Sequence, residues 1–284
     1  MIDNEDIIES HIVAAIKEDL GNGDHTSLAI IPAEAKGMMQ LLVKEAGTIA
    51  GLDVAKKVFK LVDPETDFEQ LIPDGAAVKT GDIVFRVKGK VVSMLSAERL
   101  ALNYMQRMSG IATKTAAYKK LLKGLPCILL DTRKTTPGMR IFEKTAVAIG
   151  GGANHRFGLF DMILIKNNHV DFAGGITQAV EATQKYLREK KLRLPIELEV
   201  RSFLELEEAM RIGGFQRIML DNFTPVNLKK AVERIDGRFE TEASGGITEA
   251  TIYDYAATGV DFISVGALTH HIKSLDLSLR AIKA

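Results

Sequence analysis

Apolar residues recur at two different spacings in the first half of the chain, and each spacing predicts its own kind of element. Residues 5–20 carry isoleucine and alanine three or four positions apart, which predicts a helix that ends at Gly21-Asn22-Gly23. Further helices are expected at 53–61 and at 94–108, the latter ending near Ser109-Gly110. Strand-like runs between glycine, proline and aspartate turns are at 38–44, 67–72 and 83–92. The first half is therefore predicted to be α+β, with helices against a mainly antiparallel sheet.

The second half alternates short β-rich runs with helical patterns, which indicates βα units around a parallel sheet. The expected strands are 127–131, 162–166, 195–200, 217–221, 238–243 and 260–266. The expected helices are 140–149, 173–190, 202–212, 225–235, 248–258 and 271–282. Four strand-end positions lie 22 residues apart, namely Glu199, Asp221, Ala243 and Val265. Even spacing favours a closed ring, and six clear strands predict an incomplete α/β barrel with a missing or irregular strand.

Composition removes several classes of function. The 284 residues include 37 Lys and Arg and 37 Asp and Glu, so the net charge is zero and no general nucleic-acid binding is expected. The single cysteine, Cys127, excludes a disulfide framework and suits a reducing compartment. No apolar run reaches the roughly 18 residues of a membrane helix, and the acidic N-terminus is unlike a signal peptide. We therefore expect a cytoplasmic protein with no membrane partner.

Polar side chains collect where the predicted barrel strands end, and active sites of α/β barrels form at those ends. These residues are Asp131, Thr132, Arg133, Lys134, Lys166, Glu197, Glu199, Asp221, Ser244 and Ser264. Between 131 and 166, six Lys and Arg residues outnumber three Asp and Glu residues, which predicts a polyanionic small-molecule ligand. Arginine binds carboxylate or phosphate through two hydrogen bonds, so Arg133 and Arg156 are the expected clamps. Arg140 and Lys144, on a predicted helix, are expected to form salt bridges with their neighbours.

Glycine-rich turns follow the last two predicted strands, at Ser244-Gly245-Gly246 and at Gly266-Ala267. Loops in this position commonly bind phosphate through exposed backbone amides. Glu199 and Asp221, on successive strands, could hold magnesium or the hydroxyl groups of a sugar, or could form a structural network. The P-loop, dinucleotide and zinc-ligand motifs are absent from the sequence.

Eight stretches that follow one another across nearly the whole chain carry a specific resemblance. They are EDLGNGDHTS (18–27), ERLALNYMQRMSGIAT (98–113), DTRKTTPG (131–138), GGGANHRFGLFDMILIKNNH (150–169), IELEV (196–200), IMLDNF (218–223), EASGGI (242–247) and GVDFISVGALTH (259–270). Together they resemble the quinolinate phosphoribosyltransferase family. The resemblance implies that quinolinate and phosphoribosyl pyrophosphate, with magnesium, give nicotinate mononucleotide, pyrophosphate and carbon dioxide, a step of NAD biosynthesis.

The resemblance also implies an architecture. It implies a seven-stranded α/β barrel and an N-terminal α/β sandwich domain, in homodimers or assemblies of dimers whose active site is shared between subunits. We accordingly expect the sandwich domain over 1–111 and the barrel over 112–270. A C-terminal helix over 271–284 is expected to pack back on the sandwich domain.

The resemblance assigns the cationic residues to the substrates. Arg133, His155 and Arg156 would bind the two quinolinate carboxylates, with Arg99 reaching in from the neighbouring subunit. Lys134 and Lys166 would contact a substrate carboxylate and the phosphates or pyrophosphate.

The remaining roles concern the ribose and its phosphate. Glu199 and Asp221 would face the ribose and its magnesium, although period-two alternation leaves open whether Glu197 or Glu199 does so. The turns at 244–246 and at Gly266 would hold the 5-phosphate, with His270 nearby.

Three other functions compete with this interpretation. A transferase acting on nicotinate or another carboxylated base would need fewer arginines. A Schiff-base aldolase built on Lys166 would need an apolar pocket around that lysine. A non-catalytic binding protein would have no physical need for converging charges such as Glu199, Asp221 and Lys166. Asn167, Leu198 and Met139 depart from the family pattern without removing any of the charged groups assigned above.

Overall fold

The structure is a computed structural model that describes residues 4–282, and their contacts divide the chain into two units. The first unit holds residues up to 116, 135–151 and those from 271 onward, and the second holds 117–134 and 152–270. Among the described residues, the helices are α1 (Asn4–Leu20), α2 (His25–Ile30), α3 (Leu52–Val62), α4 (Val91–Leu121), α5 (Arg140–Ile149), α6 (Asn167–Ala173), α7 (Ile176–Lys190), α8 (Phe203–Ile212), α9 (Pro225–Ile235), α10 (Ile252–Ala256) and α11 (Ala267–His270). The strands are β1 (Lys36–Val43), β2 (Gly47–Thr48), β3 (Asp67–Gln70), β4 (Ala77–Val78), β5 (Ile83–Lys90), β6 (Ile128–Leu130), β7 (Ile163–Ile165), β8 (Ile196–Val200), β9 (Arg217–Asp221), β10 (Glu240–Ser244), β11 (Phe262–Ser264) and β12 (Leu277–Ala281).

The first unit is built on an antiparallel sheet with the strand order β12-β1-β5-β3. Its apolar face is covered by α3, whose buried residues include Val58 and Phe59. The Phe59 ring lies 6.1 Å from that of Phe85 on β5 and 6.2 Å from that of Phe68 on β3. The prediction that the first half of the chain has an α+β fold is confirmed.

The prediction of a C-terminal helix was wrong. Residues 277–281 form the strand β12, which pairs antiparallel with β1, Leu279 opposite Leu41. Leu275, Leu277 and Leu279 are buried at every second position. This is the periodicity of a strand with one buried face.

The helix predicted to end at Gly110 continues to Leu121 as α4. Gly110 does not terminate the helix, because its role is close packing: a Cβ there would lie 2.3 Å from the Lys273 carbonyl oxygen. A glycine in a helix interior thus marks a backbone contact here rather than a stop signal.

Residues 135–151, which we assigned to the barrel domain, group with the first unit. Their helix α5 buries Phe142 against Tyr104, with ring centroids 4.9 Å apart, and Glu143 forms an ion pair with Arg107. Lys144 is only 2% exposed. The helix expected at 173–190 is α7, which begins at Ile176, and the further helix α6 ends before it at Ala173, with Gly174 and Gly175 at positive φ between the two.

The second unit contains a parallel sheet in the order β6-β11-β10-β9-β8-β7. Helices follow most of its strands, as the βα alternation predicts. Ala153 bridges in parallel to Leu130 on β6, which adds one irregular segment beside the six strands of the sheet. The unit is therefore an incomplete α/β barrel. No helix in residues 4–282 is both long and apolar enough to cross a membrane.

Candidate active site

A cavity of about 720 Å³ lies in the second unit at the carboxyl ends of the parallel strands. All the residues to which the resemblance assigns a role line it except Glu199 and Arg99; of the other polar strand-end residues, Thr132 lines it and Asp131 and Glu197 do not. The predicted residues in its wall are Arg133, Lys134, His155, Arg156, Lys166, Asp221, Ser244, Gly245, Gly246, Ser264, Gly266 and His270. Parallel strands converge at this edge, which is why residues distant in sequence meet there.

Arg133 and Arg156 give one side of the cavity its positive charge. The Arg133 Nε atom is buried without a hydrogen-bond partner among the described residues. Arg156 donates from Nη1 to the Met162 carbonyl oxygen at 3.2 Å. Burial lowers the pKa of Arg156, and the neighbouring charge of Arg133 lowers it further. Two like charges held close together in this way favour an anion with two acidic groups.

Lys134, Gly266 and His270 meet at another part of the wall. A Cβ on Gly266 would lie 2.9 Å from His270 Nε2 and 3.1 Å from Lys134 Cδ, so only glycine leaves room for both side chains. The Lys134 carbonyl oxygen accepts a hydrogen bond from Thr269 Oγ1 at 2.8 Å, which ties the β6 loop to α11. Gly266, which the sequence predicts to be part of a phosphate-binding turn, therefore also leaves space for the side chains of Lys134 and His270.

Lys166 and Glu199 form an ion pair with 2.7 Å between Nζ and Oε2. The Glu199 side chain is 4% exposed and also accepts from the Asn167 backbone N–H at 3.2 Å. Glu199 therefore contacts Lys166 and does not line the cavity, whereas the family resemblance places it directly against the ribose. Lys166 is paired with a carboxylate and its side chain is 45% exposed, so it lacks the apolar pocket that the aldolase alternative requires.

Asp221 is the carboxylate that reaches the cavity from β9. Burial raises its pKa, and the negative charge of Glu199 raises it further, whereas a hydrogen bond from Asn222 and the charges of Lys166 and Lys134 lower it. Asp221 thus carries negative charge that the protein only partly compensates. Such a carboxylate is suited to a cation or to ribose hydroxyl groups.

His155 lies over two fully buried carboxylates, Glu197 and Glu242. Its Nε2 atom is 2.9 Å from Glu197 Oε2 and 3.5 Å from Glu242 Oε2, and its Nδ1 accepts the Arg156 backbone N–H at 2.7 Å. Burial raises the pKa of Glu197 to about 7, and the Glu242 charge adds to that rise. Hydrogen bonds from His155 and from Ser264 lower the pKa of Glu242. Glu197 is therefore the more readily protonated carboxylate of the pair.

Glu197 and Glu199, between which the sequence left the ribose contact open, have different surroundings in the structure. Both point to the same side of β8, but Glu197 is deeper and contacts His155, whereas Glu199 is nearer the strand end and contacts Lys166. The three side chains His155, Glu197 and Glu242 are close enough to share a metal ion. The Arg217 guanidinium, with Nη1 3.4 Å from Glu242 Oε2, also contributes positive charge to this cluster.

Three polar residues of the wall, Asn222, Glu242 and Thr248, were not predicted from the sequence. Glu242 lies two positions before Ser244 on β10, so the strand period that places Ser244 in the wall also directs Glu242 inward. Asn222 directly follows Asp221 in the IMLDNF stretch. Arg99, in contrast, is exposed on α4 of the first unit.

The fold is a parallel barrel, with glycine-rich turns and a cation-lined cavity at its strand ends. These features define a class of proteins that bind small phosphorylated anions. Two family models match the chain: the N-terminal domain of quinolinate phosphoribosyl transferase over residues 24–109, and its C-terminal domain over residues 111–280. The chain belongs to the quinolinate phosphoribosyltransferase family.

Individual relatives agree with this membership. The chloroplastic nicotinate-nucleotide pyrophosphorylase (carboxylating) of Oryza sativa is 45% identical over 96% of this chain and 77% of its own length. The crystal structure of NadC from Streptococcus pyogenes has a TM-score of 0.91 and 40% identity, and covers 97% of both chains. The nicotinate-nucleotide pyrophosphorylase of Francisella tularensis has a TM-score of 0.92 and 39% identity over 99% of this chain and 98% of its own.

Proposed function

We propose that this protein transfers the phosphoribosyl group of phosphoribosyl pyrophosphate to quinolinate and releases pyrophosphate, carbon dioxide and nicotinate mononucleotide. The observation that carries the proposal is the pair of guanidinium groups, Arg133 and Arg156, in the wall of one cavity. The charge of Arg133 disfavours the charged form of Arg156, and a ligand with two carboxylates relieves that repulsion. His155 holds the Arg156 loop through the backbone N–H of Arg156.

The other charges suit the second substrate. Lys134 and Lys166 are placed to balance the phosphates and the departing pyrophosphate, and the turns at 244–246 and Gly266 offer backbone N–H groups to the 5-phosphate. As the bond from ribose C1 to pyrophosphate breaks, positive charge develops on the sugar, and the Asp221 carboxylate stabilises it. The new bond to the ring nitrogen then lets the ring accept the electron pair left by carbon dioxide, and a proton takes the place of the lost carboxylate. The protein contributes positioning and electrostatic stabilisation, and no protein nucleophile is required.

Magnesium fits this arrangement at Asp221. That carboxylate is half-buried and its pKa is raised by burial and by Glu199, so a nearby cation would stabilise its charged form. Glu199 is already paired with Lys166 and would act on the ion only indirectly. When bound, magnesium neutralises part of the pyrophosphate charge and so makes it a better leaving group.

A product assay tests the proposed activity. We expect the protein, with phosphoribosyl pyrophosphate and magnesium, to form nicotinate mononucleotide from quinolinate and none from nicotinate, as measured by mass spectrometry. Nicotinate has a single carboxylate and would compensate less of the positive charge of the two arginines than quinolinate does. Product from nicotinate alone would keep the phosphoribosyl chemistry and contradict the two-carboxylate interpretation. No product from either base, with the fold verified by circular dichroism, would favour the non-catalytic alternative.

We also propose a homodimer in which Arg99 completes the partner's cavity. Arg99 is exposed on α4, and its charge is of the sign that the substrates need. The cytoplasmic location stays a prediction.

Mixing two inactive variants tests the shared site. Arg99→Ala and Arg133→Ala proteins, each inactive alone, are expected to regain about a quarter of wild-type activity after subunit exchange, since half the dimers are mixed and each has one intact site. Each variant exchanged only with itself serves as the control. Failure to recover activity once native mass spectrometry shows mixed dimers would place the whole site within one subunit.

A further inference from the structure

Asn222 has an unusual backbone conformation in the wall of the cavity. Its φ is 57°, and the other non-glycine residues with positive φ in 4–282 are Lys191 and Asp236. Those two residues end helices α7 and α9, where left-handed backbone is common. Asn222 ends no helix, and instead follows β9 next to Asp221. Left-handed conformation in a non-glycine residue away from helix ends is typical of sites where the side chain has a specific task.

The side chain and backbone of Asn222 make two separate connections. Its Nδ2 donates to Asp221 Oδ2 at 2.7 Å. Its backbone N–H donates to the Ser244 carbonyl oxygen at 2.8 Å, just beyond the point where Ser244 pairs with Asp221 across β10 and β9. The residue therefore joins the cavity carboxylate to the start of the glycine-rich turn.

The turn is shaped around the Asn222 side chain. A Cβ on Gly245 would lie 2.3 Å from Asn222 Oδ1 and 3.0 Å from its backbone nitrogen, and Gly245 has a φ of +100°. The absence of a side chain at Gly245 thus has a local cause, namely that the Asn222 amide occupies the adjacent space. The amide is packed against the turn on one side and donates to the carboxylate on the other.

We propose that Asn222 is a positioning residue that fixes the Asp221 carboxylate relative to the phosphate-binding turn at 244–246. The inference rests on the proposed function, in which Asp221 faces the ribose and its magnesium and the turn holds the 5-phosphate. Both groups belong to phosphoribosyl pyrophosphate, so Asn222 sets the distance between two contacts on one substrate. Neither of its connections involves Arg133 or Arg156, which are assigned to quinolinate.

Two substitutions separate the side chain from the backbone. Asn222→Gly keeps the left-handed backbone and the N–H to Ser244 and removes the amide. Asn222→Asp keeps the outline against Gly245 and replaces the donor by an acceptor, which cannot bond to the Asp221 carboxylate. In both variants we expect the Kd for magnesium phosphoribosyl pyrophosphate, measured by calorimetry without quinolinate, to rise about tenfold, the effect of losing a hydrogen bond to a charged group. The KM for phosphoribosyl pyrophosphate should rise likewise, with the KM for quinolinate within twofold of wild type.

Asp236→Gly is the matched control, because it changes a left-handed residue at the end of α9, which is not part of the cavity wall. It should leave both KM values unchanged. Wild-type affinity in Asn222→Gly or in Asn222→Asp, or equal rises in both KM values, would overturn the inference. A wild-type protein that does not bind phosphoribosyl pyrophosphate would instead refute the proposed function, so the two failures are distinguishable.

Discussion

Lys166→Ala is expected to lower kcat by about a hundredfold to a thousandfold while the protein stays folded. Lys166 lines the cavity and is 45% exposed, so its charge is available to the substrate even though Glu199 orients it at 2.7 Å. Removing one preorganised charge that stabilises a transition state typically costs about 2.7–4 kcal/mol. Steady-state kinetics with quinolinate and phosphoribosyl pyrophosphate would measure the loss, and circular dichroism would verify the fold.

The same substitution leaves the buried Glu199 carboxylate without its cation, and this second effect has to be separated from the first. The double variant Lys166→Ala, Glu199→Gln removes the unpaired negative charge. If Lys166 acts on the substrate, the double variant stays as slow as the single one. Recovery to wild-type turnover would show instead that the unpaired charge of Glu199 caused the loss of activity. Lys185→Ala is the matched control, because the Lys185 side chain is 71% exposed and its Nζ lies 3.9 Å from Glu189 Oε1 in a surface ion pair.

Arg107→Ala is expected to reduce the free energy of unfolding by about 3–5 kcal/mol, the usual cost of leaving a buried charge without its partner. The Glu143 side chain is 1% exposed, and Arg107 Nε donates to its Oε1 at 2.8 Å. Arg107 Nη2 also donates to Thr136 Oγ1 at 2.7 Å, and the Thr136 backbone N–H donates to Glu143 Oε2 at 3.2 Å. Urea unfolding followed by circular dichroism would measure the loss.

Two further variants identify the source of that loss. Arg107→Ala combined with Glu143→Gln should recover part of the stability, since the buried group is then neutral. Arg86→Ala breaks an exposed pair with Glu69 at 3.5 Å and should cost less than about 1 kcal/mol. If Arg107→Ala and Arg86→Ala both lowered the free energy of unfolding by the same small amount, the burial of Glu143 would not have the predicted effect on stability.

Helices and strands with a clear hydrophobic period were predictable from the sequence. Features that depend on contacts with distant segments of the chain were not. The parallel strands around Glu199 and Asp221 show the expected βα alternation, and the structure places them side by side in the sheet. The strand β12 and the continuation of α4 past Gly110 were missed. For β12 the alternating leucines at 275, 277 and 279 were a readable signal, whereas the continuation of α4 past Gly110 depends on Lys273, a residue from the far end of the chain.

The sequence alone determined the barrel, the cationic character of its strand ends and the family, because local periodicity, charge signs and motif order are properties of the linear chain. Only the tertiary structure decided which charges remain available to a ligand. It showed that Glu199 is paired with Lys166, that Glu197 and Glu242 are buried against His155, and that Asn222 joins Asp221 to the glycine-rich turn at 244–246. Hydrogen bonding and desolvation depend on distances of a few ångströms between residues far apart in sequence, and only folding sets those distances.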